Sequence, residues 1–218
     1  MSQQENITRI RVQYTKGRSL RFTGHLDLQR LWERLLRRSG LPVRYSQGYH
    51  PRARLNLASA LPLGFVSEAE LLDFWMDEFR PADEVQEKLS ASTPPGLAIK
   101  SVRAVPLSDD ALQVQMSASE FEVEFFDPQD PETLNEKVRG LLAQEEIIRT
   151  RRKKTYDLRP LIQTLEADWL DNGELGLRMR LSAEPGATGR PDEVLDAMGY
   201  QNTQYLVKRT QFFLFGEL

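Results

Sequence analysis

The two histidines of the chain, His25 and His50, raise the first question of chemistry. They lie in the segments RFTGHLDLQRL and YSQGYHPRARLNL, and both stand among arginines. Two imidazoles that reach the same phosphate can act as general base and general acid and cleave RNA without a metal ion. Alternatively, each histidine hydrogen-bonds within a turn or orients a ligand beside a surface that binds an anion. Two histidines alone do not make a catalytic site, so the second interpretation comes first and the nuclease stays as the alternative.

Other reaction chemistry finds no support in the sequence. The chain contains no cysteine, which excludes disulfides, thiolate nucleophiles and cysteine-held clusters. It has no Walker loop, HExxH motif or Rossmann glycine pattern. Neither histidine has a second metal ligand at helical spacing. We therefore predict that this chain holds no metal and no cofactor of its own.

Composition and charge indicate the class of protein and of ligand. A chain of 218 residues with 40% hydrophobic and 28% charged residues is predicted to be globular. It has no apolar run of about 20 residues and its start, MSQQENIT, is not that of a signal peptide, so we expect a cytoplasmic protein. The net charge is −3, yet residues 1–60 hold 12 Lys and Arg against 3 Asp and Glu. Because a local basic field can steer an anion, the acidic balance of the whole chain does not exclude an anionic ligand.

The first basic element is the predicted helix HLDLQRLWERLLRRSG. Its arginines, Arg30, Arg34, Arg37 and Arg38, recur at i, i+4, i+7 and i+8 and so share one face. Like charges at this spacing destabilise a helix unless an anionic partner binds them. The other interpretation is a solvated face whose arginine stems cover the edge of the core.

The second basic element is the segment RYSQGYHPRAR, in which aromatic and cationic side chains alternate around a glycine. Such a loop suits single-stranded RNA, since arginines neutralise phosphates, flat rings stack on bases and glycine lets the backbone come close. A rigid turn whose tyrosines cover the core explains the same pattern. The candidate residues are Arg44, Tyr45, Gln47, Tyr49, His50, Arg52 and Arg54.

The third basic element is the run RTRRKKTYD. Runs of this kind are most often solvated loops and only sometimes contact nucleic acid. The candidate residues are Arg149, Arg151, Arg152, Lys153 and Lys154. We expect the cations of the first two elements to gather into one basic surface.

The hydrophobic pattern predicts an α+β protein in which the order βαββαβ occurs twice. This order is that of two tandem ferredoxin-like domains with antiparallel sheets, which we assign to residues 1–107 and 108–218. The second strand of the second domain is predicted at 145–151, followed by an insertion near 155–172.

Charge pairing supports the predicted central strands. In each domain the first and third strands would lie side by side. Arg9 and Arg11 would then face Asp73 in the first domain, across a surface predicted to be open to solvent. Glutamates would face Arg178 and Arg180 in the second domain.

The segment from Phe22 to Asp73 resembles the DUF2344, or radical SAM-linked, family of uncharacterised bacterial proteins. The likeness rests on the motifs FTGHLD, YSQGYHP and PLG before an acidic strand, and on RTRRKKTYDLRPLI and VKRT in the second half. Tyr49 replaces the phenylalanine usual in the family. The resemblance implies a radical SAM enzyme as a partner on a separate polypeptide, because this chain lacks the CxxxCxxC motif. It implies no established activity.

From these observations we expect a non-catalytic RNA-binding accessory module that presents tRNA or rRNA to a radical SAM enzyme. Two alternatives stay open. One is a metal-independent endoribonuclease that uses His25 and His50, and the other is a protein-docking module whose acidic stretch 61–148 binds the radical SAM enzyme.

Overall fold

The computed structural model describes residues 7–151 and 153–216, which form an α+β protein with mostly antiparallel strands. The α-helices of this part of the chain are α1 (His25–Arg38), α2 (Ala82–Ser92), α3 (Pro131–Leu142) and α4 (Pro191–Ala197). Its strands are β1 (Thr8–Lys16), β2 (Leu55–Leu57), β3 (Val66–Met76), β4 (Leu97–Val105), β5 (Met116–Phe125), β6 (Ile148–Arg151), β7 (Lys154–Asp157), β8 (Ile162–Trp169), β9 (Leu175–Glu184), β10 (Ala187–Thr188) and β11 (Tyr205–Leu214). The chain divides into two compact units between Gln115 and Met116. None of the described helices is long and apolar enough to cross a membrane.

The first unit has the predicted element order β1-α1-β2-β3-α2-β4. Its strands pair antiparallel in the order β2-β3-β1-β4, so the first and third strands occupy the centre. The apolar side chains of these strands, Ile10, Val12 and Tyr14 among them, are buried with those of α1 and α2 in one core.

Helix α1 forms because its apolar residues recur with helical periodicity and are buried in that core. They are Leu28, Trp32, Leu35 and Leu36. The Trp32 ring meets the Tyr14 ring edge to face, with centroids 4.8 Å apart. Gly24 occupies the N-cap position, and Gly40, with a φ of +67°, follows the helix end.

The second face of the central strands is buried, and the prediction that it is open to solvent was wrong. Arg9 and Arg11 both bind the carboxylate of Asp73, and all three side chains are less than 5% exposed. The two terminal nitrogens of Arg9 also reach the segment after β4, where they donate to the carbonyls of Asp109 and Asp110, at 2.7 and 2.8 Å. The connecting segment therefore accepts hydrogen bonds that solvent would otherwise accept.

The second unit contains strands that pair antiparallel in the order β8-β9-β5-β11, with α3 and α4 in the connections. Strand β8 is the second strand of this set along the chain, so the prediction that placed this strand at 145–151 was wrong. Those residues instead begin a separate two-stranded hairpin, β6 and β7. Most of the predicted insertion 155–172 is regular structure, because it contains all of β8 and all but the first residue of β7.

The predicted charge pairs of the second unit are present. Glu120 lies opposite Arg180 and Glu122 opposite Arg178 on β5 and β9. Arg180 donates to Glu120 at 2.7 Å, and Glu122 is shared between Arg178 and Lys208, at 3.4 and 2.8 Å. These ion pairs neutralise much of the polar face of the strands.

Candidate nucleic-acid interface

The segment from Ser46 to Arg52, which we term the QGYHP loop, stands on a short paired stem. The Ser46 amide donates to the Arg52 carbonyl at 2.8 Å, and the Arg52 amide donates to the Ser46 hydroxyl at 3.0 Å. Below them, Tyr45 pairs with Ala53. The stem continues into the sheet, since the Arg44 amide donates to the Trp75 carbonyl.

The tip of the QGYHP loop is exposed. Tyr49 has 95% of its surface accessible, the largest fraction among the exposed large apolar or aromatic side chains of the described residues. Its ring lies 4.9 Å from the His50 ring at 78°, an edge-to-face contact. Gln47, His50 and Arg52 are exposed as well. The loop thus presents aromatic, amide and cationic groups to solvent together.

The residues at the base of the loop have structural roles. Tyr45 is half-buried against the core of the first unit. Arg44 forms an ion pair with Asp77 at 3.0 Å. Arg54 lies over the face of buried Trp75 at 4.4 Å, with Arg9 also 5.3 Å from the centroid of that ring. These contacts fix the stem, so Arg44 and Tyr45 are less available to a ligand than the tip.

The four arginines of α1 are all exposed, but their surroundings differ. Arg30 pairs with Asp27 at 3.2 Å, in a solvent-exposed contact of small energetic value. Arg38 donates to the Ser92 carbonyl at the end of α2, at 3.0 Å. Within the described part of the chain, Arg34 and Arg37 have no carboxylate or carbonyl partner. They carry the positive charge of this face that is free to meet an anion.

The last turn of α1 and the QGYHP loop lie at the same end of the first unit. Only four residues separate Arg38 from Val43, and Val43 pairs with Met76, the last residue of β3. The loop stem is bonded to Trp75, one residue earlier on the same strand. The end of α1 and the base of the loop are therefore joined by a short segment that is bonded to the end of β3, and the gathering of the early cations into one surface stays a prediction.

The two histidines lie on segments that are anchored at different ends of β3. His25 begins α1 after Gly24, where a Cβ placed on the glycine would lie 3.8 Å from a Leu63 methyl group, and the Gly64 amide donates to the Arg21 carbonyl. These contacts place His25 beside the start of β3 at Val66, whereas the stem below His50 is bonded to Trp75 near its end. These two anchoring points span ten residues of strand, roughly 30 Å, so the fold gives no support to two imidazoles that share one phosphate.

The third basic element lies in the β6–β7 hairpin of the second unit. Arg149 binds two carboxylates of α4, Glu193 at 2.9 Å and Asp196 at 3.3 Å, and Arg151 approaches Glu193 at 3.7 Å. Burial, with a contribution from Glu193, raises the pKa of the Tyr156 phenol in the same hairpin. These arginines fasten the hairpin to its own unit.

The remaining residues of the third element differ from Arg149. Lys153 and Lys154 are exposed, and Lys153 adopts a φ of +69° in the hairpin turn. Arg152 lies outside the described residues. The two lysines are therefore the cations of this element that a ligand can reach.

Two features escaped the interpretation of the sequence. Three large apolar side chains near the start of α1 are each more than 60% exposed: Phe22, Leu26 and Leu63. The exposure of Leu26 could have been predicted, because this residue lies outside the apolar stripe of the helix. Lys16 is fully buried, and its ammonium donates to the carbonyls of Arg21 and Phe65. Alternation in β1 gave no indication of this role. In the described chain no group of three or more His, Asp or Glu side chains is arranged to hold a metal ion.

Comparisons with known proteins identify a family and a distant likeness of fold. A family model described as "Uncharacterized protein conserved in bacteria (DUF2344)" matches residues 9–191, a range that contains the FTGHLD and YSQGYHP motifs. No curated protein matches the chain.

Two solved structures are similar over almost the whole chain. One is a Cbf5–Nop10–Gar1 complex, at 7% identity and a TM-score of 0.47, covering 95% of this chain and 49% of that one. The other is an H/ACA RNP bound to a substrate RNA containing 2'-deoxyuridine, at 8% identity and a TM-score of 0.42, with coverages of 94% and 47%. The chain spans about half the length of both, and similarities at these TM-scores carry no argument about function.

Proposed function

We propose that this chain, which belongs to the DUF2344 family, is a non-catalytic RNA-binding module that contacts tRNA or rRNA through the first unit. The observation that carries the proposal is that Arg34 and Arg37 are exposed and without an anionic partner in the described residues, in the last two turns of the helix that precedes the QGYHP loop. Arg52 adds an exposed cation on that loop. Phosphate contacts from arginine supply most of the affinity in sequence-independent RNA binding.

The fold we propose for both units is ferredoxin-like. The order β2-β3-β1-β4 in the first unit is the order expected when two βαβ halves interlock. The order β8-β9-β5-β11 in the second unit supports the same fold, with the β6–β7 hairpin inserted between α3 and β8. In the first unit α1 and α2 cover one face of the sheet, and the opposite face is buried at Arg9, Arg11 and Asp73. RNA would therefore bind at an end of the unit and not on a sheet face, which is the surface that RRM domains use.

We further propose a radical SAM enzyme as the partner to which the RNA is presented. The resemblance to radical SAM-linked proteins supports this partner, and the absence of cysteine means that its cluster would be ligated outside this sequence.

The experiment is a titration of a fluorescent tRNA transcript with the protein at salt concentrations from 50 to about 300 mM, since each phosphate contact contributes to the salt slope. We expect binding that weakens steeply with salt, and a variant Arg34→Gln/Arg37→Gln that binds at least tenfold more weakly with a slope reduced by roughly 1–2. The matched control is Lys100→Gln/Arg103→Gln, which removes two exposed charges from β4 of the same unit. Binding that is flat in salt, or equally weakened in both variants, contradicts the proposal.

The same protein preparations test the nuclease alternative. RNA is incubated with the protein in EDTA and analysed for cleavage, with His50→Ala as the comparison. Because the segments that carry the two histidines are bonded near opposite ends of β3, we expect no cleavage that depends on His50. If the native chain cleaves RNA and His50→Ala does not, the non-catalytic proposal is wrong and the endoribonuclease alternative is supported.

A further inference from the structure

We infer that Tyr49 is a stacking platform for an unpaired base, so that the RNA class bound is one with an accessible single-stranded nucleotide. This inference rests on the proposed RNA-binding function and adds to it the part of the RNA that is recognised. Double helices hide the faces of their bases, whereas loops and bulges expose them to aromatic side chains. The inference is carried by three features of the QGYHP loop.

The first feature is the orientation of the two rings at the tip. Tyr49 is 95% exposed, and the planes of Tyr49 and His50 are nearly perpendicular. An edge-to-face contact occupies at most one face of a ring, so at least one face of Tyr49 is open to solvent. A tyrosine that served only the core of the first unit would be covered, as Tyr45 is covered in part at the base of the same loop.

The second feature is the restraint that the stem imposes on the tip. Two hydrogen bonds join Ser46 to Arg52, one of them through the Ser46 side chain, and Pro51 restricts the backbone of His50 to extended conformations. A ring that is already held in place loses less conformational freedom when a base stacks on it. Arg52 is exposed at the end of this stem and can meet the phosphate of a stacked nucleotide.

The third feature is Gly48. Its φ is outside the left-handed region, and a Cβ placed there would meet no atom within 4 Å. The fold therefore does not require glycine at this position, and the proposal assigns its small size to the approach of a nucleotide to the neighbouring Tyr49. A larger residue at 48 should leave the fold intact and obstruct the ligand.

The test compares two RNA probes: a hairpin with a seven-nucleotide loop that carries 2-aminopurine, and a fully paired duplex of equal length that carries none. Binding is measured by anisotropy, and stacking by the quenching of 2-aminopurine fluorescence. For Tyr49→Ala we expect affinity for the hairpin to fall roughly tenfold to a hundredfold and the quenching to disappear, with duplex affinity changed by less than about twofold. Tyr49→Phe keeps a ring and should keep both signals.

Two further variants separate stacking from damage to the fold. Gly48→Val should weaken the hairpin complex with an unchanged Tm, and Trp169→Ala, which removes an exposed aromatic side chain from the second unit, should change neither probe. If Tyr49→Ala binds the hairpin like the native chain, or loses affinity for both probes equally, the proposal that Tyr49 stacks on a base is wrong. The result for Arg34→Gln/Arg37→Gln is independent of that outcome. If the native chain binds neither probe at low salt, the proposed function itself falls.

Discussion

Arg11 and Asp73 lie directly opposite each other on the central strands of the first unit, and Arg11 Nε donates to Asp73 Oδ1 at 2.8 Å. Arg9 binds the same carboxylate through its Nε and a terminal nitrogen, at 2.9 and 2.6 Å. One buried acid thus compensates two buried guanidinium groups, and the backbone carbonyls after β4 supply further acceptors.

Replacing Asp73 by Asn should therefore destabilise the protein by about 3–5 kcal/mol, because two buried cations lose their counter-charge. Urea unfolding monitored by tryptophan fluorescence measures the change. Asp77→Asn is the matched control, since Asp77 pairs with Arg44 at an exposed position and its loss should cost about 1 kcal/mol or less. Equal effects of the two variants would mean that the buried cluster is worth no more than a surface ion pair.

The β6–β7 hairpin should loosen when Arg149 is replaced by Gln. This change removes the bonds to Glu193 and Asp196, and we expect a loss of about 1–2 kcal/mol, with faster amide exchange in residues 148–157. Hydrogen exchange followed by mass spectrometry gives the local readout. Lys154→Gln removes an exposed charge from the same hairpin and should leave exchange there unchanged.

Gly176 should tolerate no side chain. A Cβ at this position on β9 would collide with the backbone carbonyl of Val123 and with Leu170, and the carbonyl belongs to the neighbouring strand β5. We expect Gly176→Ala to lower the free energy of unfolding by about 3 kcal/mol. Gly140→Ala provides the opposite control, because Gly140 is exposed within α3 with free space around it, and alanine there should stabilise by about 0.5–1 kcal/mol.

Asp130 should make the stability of α3 depend on pH. Its carboxylate accepts from the Thr133 amide at 2.8 Å and from the Thr133 hydroxyl at 2.7 Å, and the amide hydrogen bond is the main reason that the pKa of Asp130 lies below its ordinary value. A carboxyl group whose pKa is lower in the folded state than in the unfolded state stabilises the folded state at any pH above its unfolded pKa. This stabilisation is lost as the pH falls through its folded pKa.

Asp130→Ala should therefore lower Tm at pH 7, and the difference should shrink as the pH falls below about 4. Thermal unfolding followed by circular dichroism between pH 7 and about pH 2 measures it. Asp130→Asn keeps a good N-cap without a titrating group, so its Tm should stay near the native value at pH 7. A difference between Asp130→Ala and the native chain that is independent of pH would show that the carboxylate charge is irrelevant.

Much of the fold could be predicted from local pattern. The first unit has the predicted order βαββαβ, and α1 lies within the segment HLDLQRLWERLLRRSG that the apolar pattern indicated. The opposition of Arg11 to Asp73 followed from strand order and charge alone. These predictions succeed because periodicity and cross-strand pairing are short-range properties that each segment carries by itself.

The errors come from tertiary contacts. The segment 145–151 has a strand-like pattern, but nothing in it says that it pairs with β7 and not with β9. In the same way, the arginines of the third basic element looked like free cations, whereas Arg149 is bound by α4, which lies more than forty residues later. The position of Arg34 and Arg37 on one helix face was predictable, but which of the four arginines have partners was not.

The carbonyls of Asp109 and Asp110 lie on the connecting stretch beyond β4, yet they complete the hydrogen bonding of Arg9 inside the sheet. A fragment of the first unit that stops at residue 107 would carry every strand and helix of that unit but would leave buried guanidinium donors without acceptors. Fragments designed to isolate this half for crystallisation or NMR should therefore extend to Gln115, and the shorter version should be poorly folded although it retains every strand and α-helix of the unit.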